Sequence, residues 1–215
     1  MSTPTKKVAF HTLGCKLNFS ETSSISREFI EYGYEKVGFN DFSDIYVINT
    51  CSVTEKADKE TRKLIRRTKR INPDSFIAII GCYAQLKPDE IISLDGVNMV
   101  LGTKEKFNLL RHLDKIDLGS NKKVMIRSKV SDVKIFNPSY SHKDRTRSFL
   151  KVQDGCDYHC TFCTIPIARG FSRSGSVQET IQIAEKIAET DTKEIVLTGV
   201  NIGDFGNGTV ETFFD

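Results

Sequence analysis

The sequence predicts an α/β fold in two parts: an N-terminal parallel-sheet domain and a second, separate run of βα units. Three observations predict it. Short runs of β-branched and aromatic residues alternate with helical segments over residues 1–118. The character then changes to polar and basic over 119–147. The βα alternation restarts at 148 and runs to 215. Strands separated by helices imply right-handed crossovers and a mostly parallel sheet.

Taken in order, Lys7–Leu13 is a short apolar run and a candidate strand, followed by a helix over Asn18–Ile30 that ends at Tyr32-Gly33-Tyr34. Asp44–Thr50 (DIYVINT) reads as a buried strand. The next helix covers Glu55–Ile71 and stops at Asn72-Pro73, because the residue before proline avoids helix. Phe76–Ile80 (FIAII) is a third strand. Pro88 opens a short helix to Ser93, since a first turn tolerates proline. Asn98–Leu101 is a fourth strand and Lys104–Leu113 a final helix. Residues 119–147 read as a linker with at most one short strand. Beyond it come a strand at Phe149–Gln153 and a long cysteine-bearing loop over Asp154–Gly175. An amphipathic helix follows over Ser176–Thr190, with Val177, Ile181, Ala184, Ile187 and Ala188 at helical spacing. Glu194–Val200 is the next strand, and a further helix is expected where the sequence reaches Thr212–Asp215.

The apolar fraction of 39% and charged fraction of 27% suit a soluble globular protein. The net charge of +3 identifies no partner. No window approaches the roughly 18 apolar residues of a membrane span, and no secretory signal is visible, so the expected compartment is the reducing cytoplasm. There the six cysteines point to metal or cluster ligation rather than disulfides.

The cysteines form two sets. Cys156, Cys160 and Cys163 are separated by three and then two residues, in a loop between a strand and a helix. Ligands of α/β folds bind beyond the carboxyl ends of strands. Thiolates are soft ligands suited to iron–sulfur clusters or zinc. Three of them on a 4Fe–4S cube leave one iron open to a chelating substrate. Zinc with His159 as fourth ligand is the alternative. With the aromatic Phe162 before the third cysteine, the motif resembles that of the radical S-adenosylmethionine superfamily. The resemblance implies a partial TIM-type barrel, of which 148–215 would be the first, incomplete part. It also implies that Thr198, Gly199, Val200 and Asn201, at the end of the second barrel strand, bind the cofactor's amino group. This segment departs from the commoner Gly-Gly-Glu form; an ordinary strand-to-loop turn is the alternative.

Cys15, Cys51 and Cys82 lie far apart, yet each follows an expected strand. Carboxyl ends of neighbouring parallel strands share one edge, so the three thiols are expected to converge as a second cluster site. The alternative is buried free cysteine. Their flanks, Thr12–Asn18 (TLGCKLN), Asn49–Thr54 (NTCSVT) and Gly81–Gln85 (GCYAQ), resemble the N-terminal domain of methylthiotransferases. Ala57–Arg62, Val152–Cys156 and Leu197–Asp204 add to the resemblance. They are most similar to the branch acting on threonylcarbamoyladenosine at position 37 of tRNA.

That resemblance implies two 4Fe–4S clusters and S-adenosylmethionine as cofactors. Cys156, Cys160 and Cys163 would serve radical cleavage of the cofactor. The second cluster would present sulfur to carbon 2 of the adenine, and a second S-adenosylmethionine would supply the methyl group. The implied partners are the tRNA anticodon stem-loop and an electron donor such as flavodoxin or ferredoxin. Sister activities on isopentenyl-adenosine tRNA or a ribosomal-protein aspartate stay open, as does a non-catalytic cluster-binding fragment. The family barrel needs more βα units and ends in a β-barrel RNA-binding domain, so the chain is expected to be incomplete and to turn over slowly or not at all.

From Lys56 to Arg70 there are eight lysines or arginines against two acids. With Ala57, Leu64, Ile65 and Ile71 inward, Lys59, Arg62, Lys63, Arg66, Arg67 and Arg70 are left outward. Such a face binds phosphates by releasing counterions; a solvated helix face is the alternative. Arg169, Ser172 and Arg173, extended by Arg145 and Arg147, form a second candidate patch.

Overall fold

A computed structural model describes residues 5–51, 55–120, 122–142 and 146–215. The chain forms two compact units: residues up to Gly14 with Ile25–Ser128, and Cys15–Ser24 with Lys129–Asp215.

The first unit is a six-stranded parallel sheet. Its strands are β1 (Lys7–Thr12), β2 (Glu35–Val37), β3 (Ile45–Thr50), β4 (Phe76–Gly81), β5 (Met99–Leu101) and β6 (Val124–Ile126), in the order β2-β1-β3-β4-β5-β6. β3 and β4 are buried at every position, which is why they read as continuous apolar runs. Strand alternation sends Ile45, Val47, Phe76, Ala78 and Ile80 into one core and Tyr46, Ile48, Ile77 and Ile79 into the other. Each buried aliphatic side chain contributes about 1.5–3 kcal/mol.

The first core is covered by Ile25 and Phe29 of α1 (Lys16–Glu31) and by α5 (Leu109–Leu113), which continues a 3₁₀ turn over Glu105–Asn108. The second core is covered by Leu64 and Ile65 of α2 (Glu55–Ile71), Tyr83 and Ala84 of α3 (Cys82–Leu86) and Ile91 of α4 (Pro88–Ile92). β2, an exposed edge strand, and α3, one short turn, have no counterpart among the expected elements. Residues 119–147 are the stretch expected to be a linker with at most one short strand. That stretch supplies β6, whose Val124 and Ile126 pack against the first core, and a short strand β7 (Ser139–Tyr140).

In the second unit β8 (Ser148–Lys151) pairs in parallel with β11 (Ile195–Thr198) and antiparallel with β7. The βαβ crossover is α7 (Val177–Ala188). Ser176 and Glu179 cap its start reciprocally: the Glu179 N–H donates to Ser176 Oγ, and the Ser176 N–H to Glu179 Oε2. The expected inner face of this helix is only partly buried: Ile187 is fully covered, whereas Ile181 is 50% exposed. The loop before α7 carries β9 (Gln153–Asp154), α6 (Ile165–Arg169) and β10 (Arg173–Ser174), with β9 and β10 paired antiparallel. After β11 there is a 3₁₀ turn at Ile202–Asp204, and at Thr212–Asp215, where a further helix is expected, Phe213 and Phe214 lie in a turn. Among the described residues, no helix is long and apolar enough to cross a membrane.

Candidate cluster-binding site

The clustered cysteines sit on a loop closed at its base by the β9–β10 pair. Gly155 starts it with φ +75°. A Cβ there would fall on the carbonyl oxygen of Phe171, so only glycine fits. The Cys156 N–H donates to the Gly170 carbonyl at 3.0 Å, and the Cys163 N–H to the Cys160 carbonyl at 3.0 Å. Asp157 braces the loop by accepting from the Ser172 N–H at 2.8 Å and from Asn207 Nδ2 at 3.1 Å. Cys160 is exposed, Cys156 and Cys163 are half-buried, and Phe162 is almost bare at 89% exposure.

None of the six cysteines is held in a disulfide. Among the described residues, no three His, Cys, Asp or Glu side chains are already gathered as a metal site. Three thiols on one short loop are soft ligands of the kind that hold iron–sulfur clusters or zinc.

A residue that the sequence reading did not single out joins this loop to the turn after β11. The Gln153 side chain is buried, and its carboxamide is fully used. Oε1 accepts from the N–H groups of Val200 at 2.8 Å and Asn201 at 2.9 Å. Nε2 donates to the carbonyls of Asp154 at 3.2 Å and Gly155 at 2.8 Å, and to Ser172 Oγ at 3.0 Å. A Cβ on Gly199 would come within 3.0 Å of Gln153 Oε1. The Thr198 carbonyl accepts from the Val152 N–H at 2.9 Å. The turn is thus held by hydrogen bonds as well as strand pairing.

Next to the loop lies a buried ion network. Lys151 donates to Glu21 Oε1 at 3.0 Å and Asp154 Oδ2 at 3.4 Å. Arg169 donates to Asp154 Oδ1 at 2.8 Å, Glu21 Oε1 at 3.2 Å and Asn18 Oδ1. Arg173 reaches Asp154 Oδ2 at 3.0 Å and the carbonyls of Ile135, Arg169 and Phe171. Lys151 also lies over the Phe136 ring at 5.3 Å. This corrects the second basic patch. Arg169 is buried and Arg173 nearly so, both with structural partners; Arg147 pairs with Glu194 at 3.3 Å, and Arg145 lies outside the described residues.

In the first unit, Thr50 is registered opposite Gly81, so Cys51 and Cys82 each stand one residue beyond the same point of neighbouring strands. Gly81 has φ +99°, and a Cβ there would fall on Asn49 Oδ1 and 2.5 Å from the Thr50 carbonyl. Cys51 is half-buried and Cys82 buried. Cys15 is exposed, follows β1 by three residues, and belongs to the segment grouped with the second unit. Beside Cys82, the Tyr83 hydroxyl donates to Glu90 Oε1 at 2.8 Å, which Arg62 reaches at 2.6 Å. Burial, reinforced by that hydrogen bond, pushes the Tyr83 phenol up to about 12.

On α2, Leu64 and Ile65 are buried while Lys59, Lys63, Arg66, Arg67 and Arg70 are exposed, as expected; Arg62 is half-buried. Lys69 instead donates to the carbonyls of Pro73 and Ser75, both at 2.8 Å.

Two family models match the chain in tandem: residues 7–102 match the uncharacterized protein family UPF0004, and residues 150–213 match the radical SAM superfamily. The class is therefore a radical SAM protein with a UPF0004 segment ahead of it, and the superfamily implies a 4Fe–4S cluster and S-adenosylmethionine. The relatives specify it further. The chain is 43% identical over 203 residues to the threonylcarbamoyladenosine tRNA methylthiotransferase MtaB of Bacillus subtilis (strain 168), covering 93% of the chain and 44% of that relative. It is 40% identical over 201 residues to the MtaB of Aquifex aeolicus (strain VF5), covering 93% and 49%. It is 34% identical over 211 residues to the tRNA-2-methylthio-N(6)-dimethylallyladenosine synthase of Methylacidiphilum infernorum (isolate V4), covering 93% and 44%. The chain matches the N-terminal part of these methylthiotransferases, spanning about half the length of the curated relatives it matches.

Proposed function

We propose that this protein is the cluster-bearing part of a tRNA methylthiotransferase acting at carbon 2 of threonylcarbamoyladenosine at position 37, next to the anticodon. The observation that carries the reading is the braced loop that bears Cys156, Cys160 and Cys163 within eight residues; in the other unit, the ends of two neighbouring strands lead into Cys51 and Cys82.

Cys156, Cys160 and Cys163 hold the radical-generating cluster; Cys15, Cys51 and Cys82 hold the second. When bound, the first cluster and S-adenosylmethionine supply the one-electron chemistry that activates an unreactive C–H bond. The protein's own residues position and shield. Gln153 occupies the N–H groups of Val200 and Asn201. The carbonyls of Gly199 and Val200 are then the groups of this turn suited to accept from the cofactor's ammonium, those of Thr198 and Asn201 already accepting from the Val152 and Asp204 N–H groups. The surrounding ion network keeps the base of the loop rigid. Electrons come from a flavodoxin- or ferredoxin-type donor, and the setting is the cytoplasm, where the thiols stay reduced.

The test is nucleoside mass spectrometry of tRNA from cells with and without the gene. Loss of 2-methylthio-threonylcarbamoyladenosine is expected, and its retention sinks the reading. Loss of the methylthio group from dimethylallyladenosine instead would favour the second reading, which the Methylacidiphilum relative motivates.

A further inference from the structure

The exposed cations of α2 form one stripe. Lys59, Lys63, Arg66 and Arg70 follow each other at i, i+4, i+7 and i+11, with Arg67 beside them, all exposed. At 1.5 Å per residue the stripe runs about 16 Å along the helix, with a charge roughly every turn. Arg62, Arg66 and Arg70 also line, with Leu94 and Asp95, an open groove of about 420 Å³.

Structure alone does not account for this stripe. Like charges at i and i+4 destabilise a helix, and Lys59/Lys63, Arg62/Arg66, Lys63/Arg67 and Arg66/Arg70 are four such pairs. The helix dipole rewards cations only in the last turn, which holds Lys69 and Arg70. Lys69 already closes that end on Pro73 and Ser75. Lys63 has one weak surface pair, with Glu60 at 3.4 Å. Among the described residues, no carboxylate lies within ion-pair distance of Arg66, Arg67 or Arg70.

We infer that the outer face of α2 is a docking surface for an RNA phosphate backbone, carried by Lys59, Lys63, Arg66, Arg67 and Arg70. Evenly spaced, weakly partnered cations meet successive phosphates of a strand and release its counterions. Arginine suits this contact because its planar fork matches phosphate oxygens. The inference rests on the tRNA reading above and assigns the RNA a place on the first unit.

The test is fluorescence anisotropy of the 215-residue chain with a labelled anticodon stem-loop RNA, from about 50 to 200 mM salt. The triple variant Arg66→Gln, Arg67→Gln, Arg70→Gln is compared with Lys104→Gln, Arg111→Gln, Lys115→Gln, which removes the same charge from exposed positions elsewhere on this unit. The stripe variant is expected to bind at least about tenfold more weakly, with a salt slope smaller by about 2, at roughly 0.7 per lost phosphate contact. Its melting temperature should be unchanged or higher, because repulsion is relieved. Unchanged affinity and slope in the stripe variant, equal losses in both variants, or no RNA binding by the parent chain each overturn the inference. Failure of the enzymatic reading appears separately, as an unaltered tRNA nucleoside profile.

Discussion

Gln153 and Val200 are joined by a 2.8 Å hydrogen bond from the Val200 N–H to the Gln153 carboxamide oxygen. The same oxygen takes the Asn201 N–H, and the amide nitrogen holds the carbonyl just before Cys156. One side chain thus fixes both the cysteine loop and the turn proposed to bind the cofactor.

Removing that side chain should loosen the turn before it unfolds the protein. Gln153→Leu leaves two N–H groups without their acceptor, each costing about 1–3 kcal/mol where buried. Hydrogen exchange should show faster exchange at Val200 and Asn201, while the β3 and β4 amides stay protected. Equal protection in the variant would remove Gln153 from any positioning role.

Arg169 should be among the most sensitive positions of the second unit. Arg169→Met leaves Glu21 and Asp154 buried with less compensating charge, a loss of about 3–5 kcal/mol when one partner of a buried pair is removed. Adding Glu21→Gln should recover part of it. Urea denaturation of the single and double variants measures both, and strictly additive losses would show that the pair is not coupled.

The Tyr83–Glu90 pair gives a pH dependence at both extremes. The hydrogen bond from Tyr83, with help from Arg62, holds the Glu90 carboxyl below its ordinary 4.5. Its contribution is present above that value and is lost as pH falls through the depressed one. Tyr83 is raised, so its contribution is complete below 10 and lost as pH rises through about 12. Phenolate absorbance should therefore include one tyrosine titrating near 12 that disappears in Tyr83→Phe. Glu90→Gln should flatten the acid limb of melting temperature against pH.

The six cysteines should fall into two groups of three. After anaerobic reconstitution, alanine at Cys156, Cys160 or Cys163 should remove one cluster's share of iron and abolish the spectroscopic response to S-adenosylmethionine. Alanine at Cys15, Cys51 or Cys82 should remove the other share and leave that response. Iron loss that ignores this grouping would contradict two separate sites.

Much of this was legible in the chain. β3 and β4 stood out because strands buried on both faces read as unbroken apolar runs. α2 was bounded correctly by Pro73 and its dense helical periodicity. β2, β6 and α3 were missed because three to five residues carry too little periodicity to register. The cysteine loop is local in sequence, so spacing revealed it. The ion network is not: Glu21 and Arg169 are 148 residues apart, and charged residues read by default as exposed. That default made Arg169 look like part of an RNA face. Gln153 left no chemical signature, because an amide's value lies in what surrounds it.

Gly155 has a consequence for which sequences are reachable at all. Every replacement adds a side chain where the Phe171 carbonyl already stands, in a backbone region that favours glycine. No single codon change offers a neutral alternative there, so drift is closed at this position while the neighbouring exposed Tyr158 and Phe162 stay sterically open to exchange. A lineage that lost this glycine would have to rebuild the crossing at Gly170–Phe171 before Cys156 could return to its place.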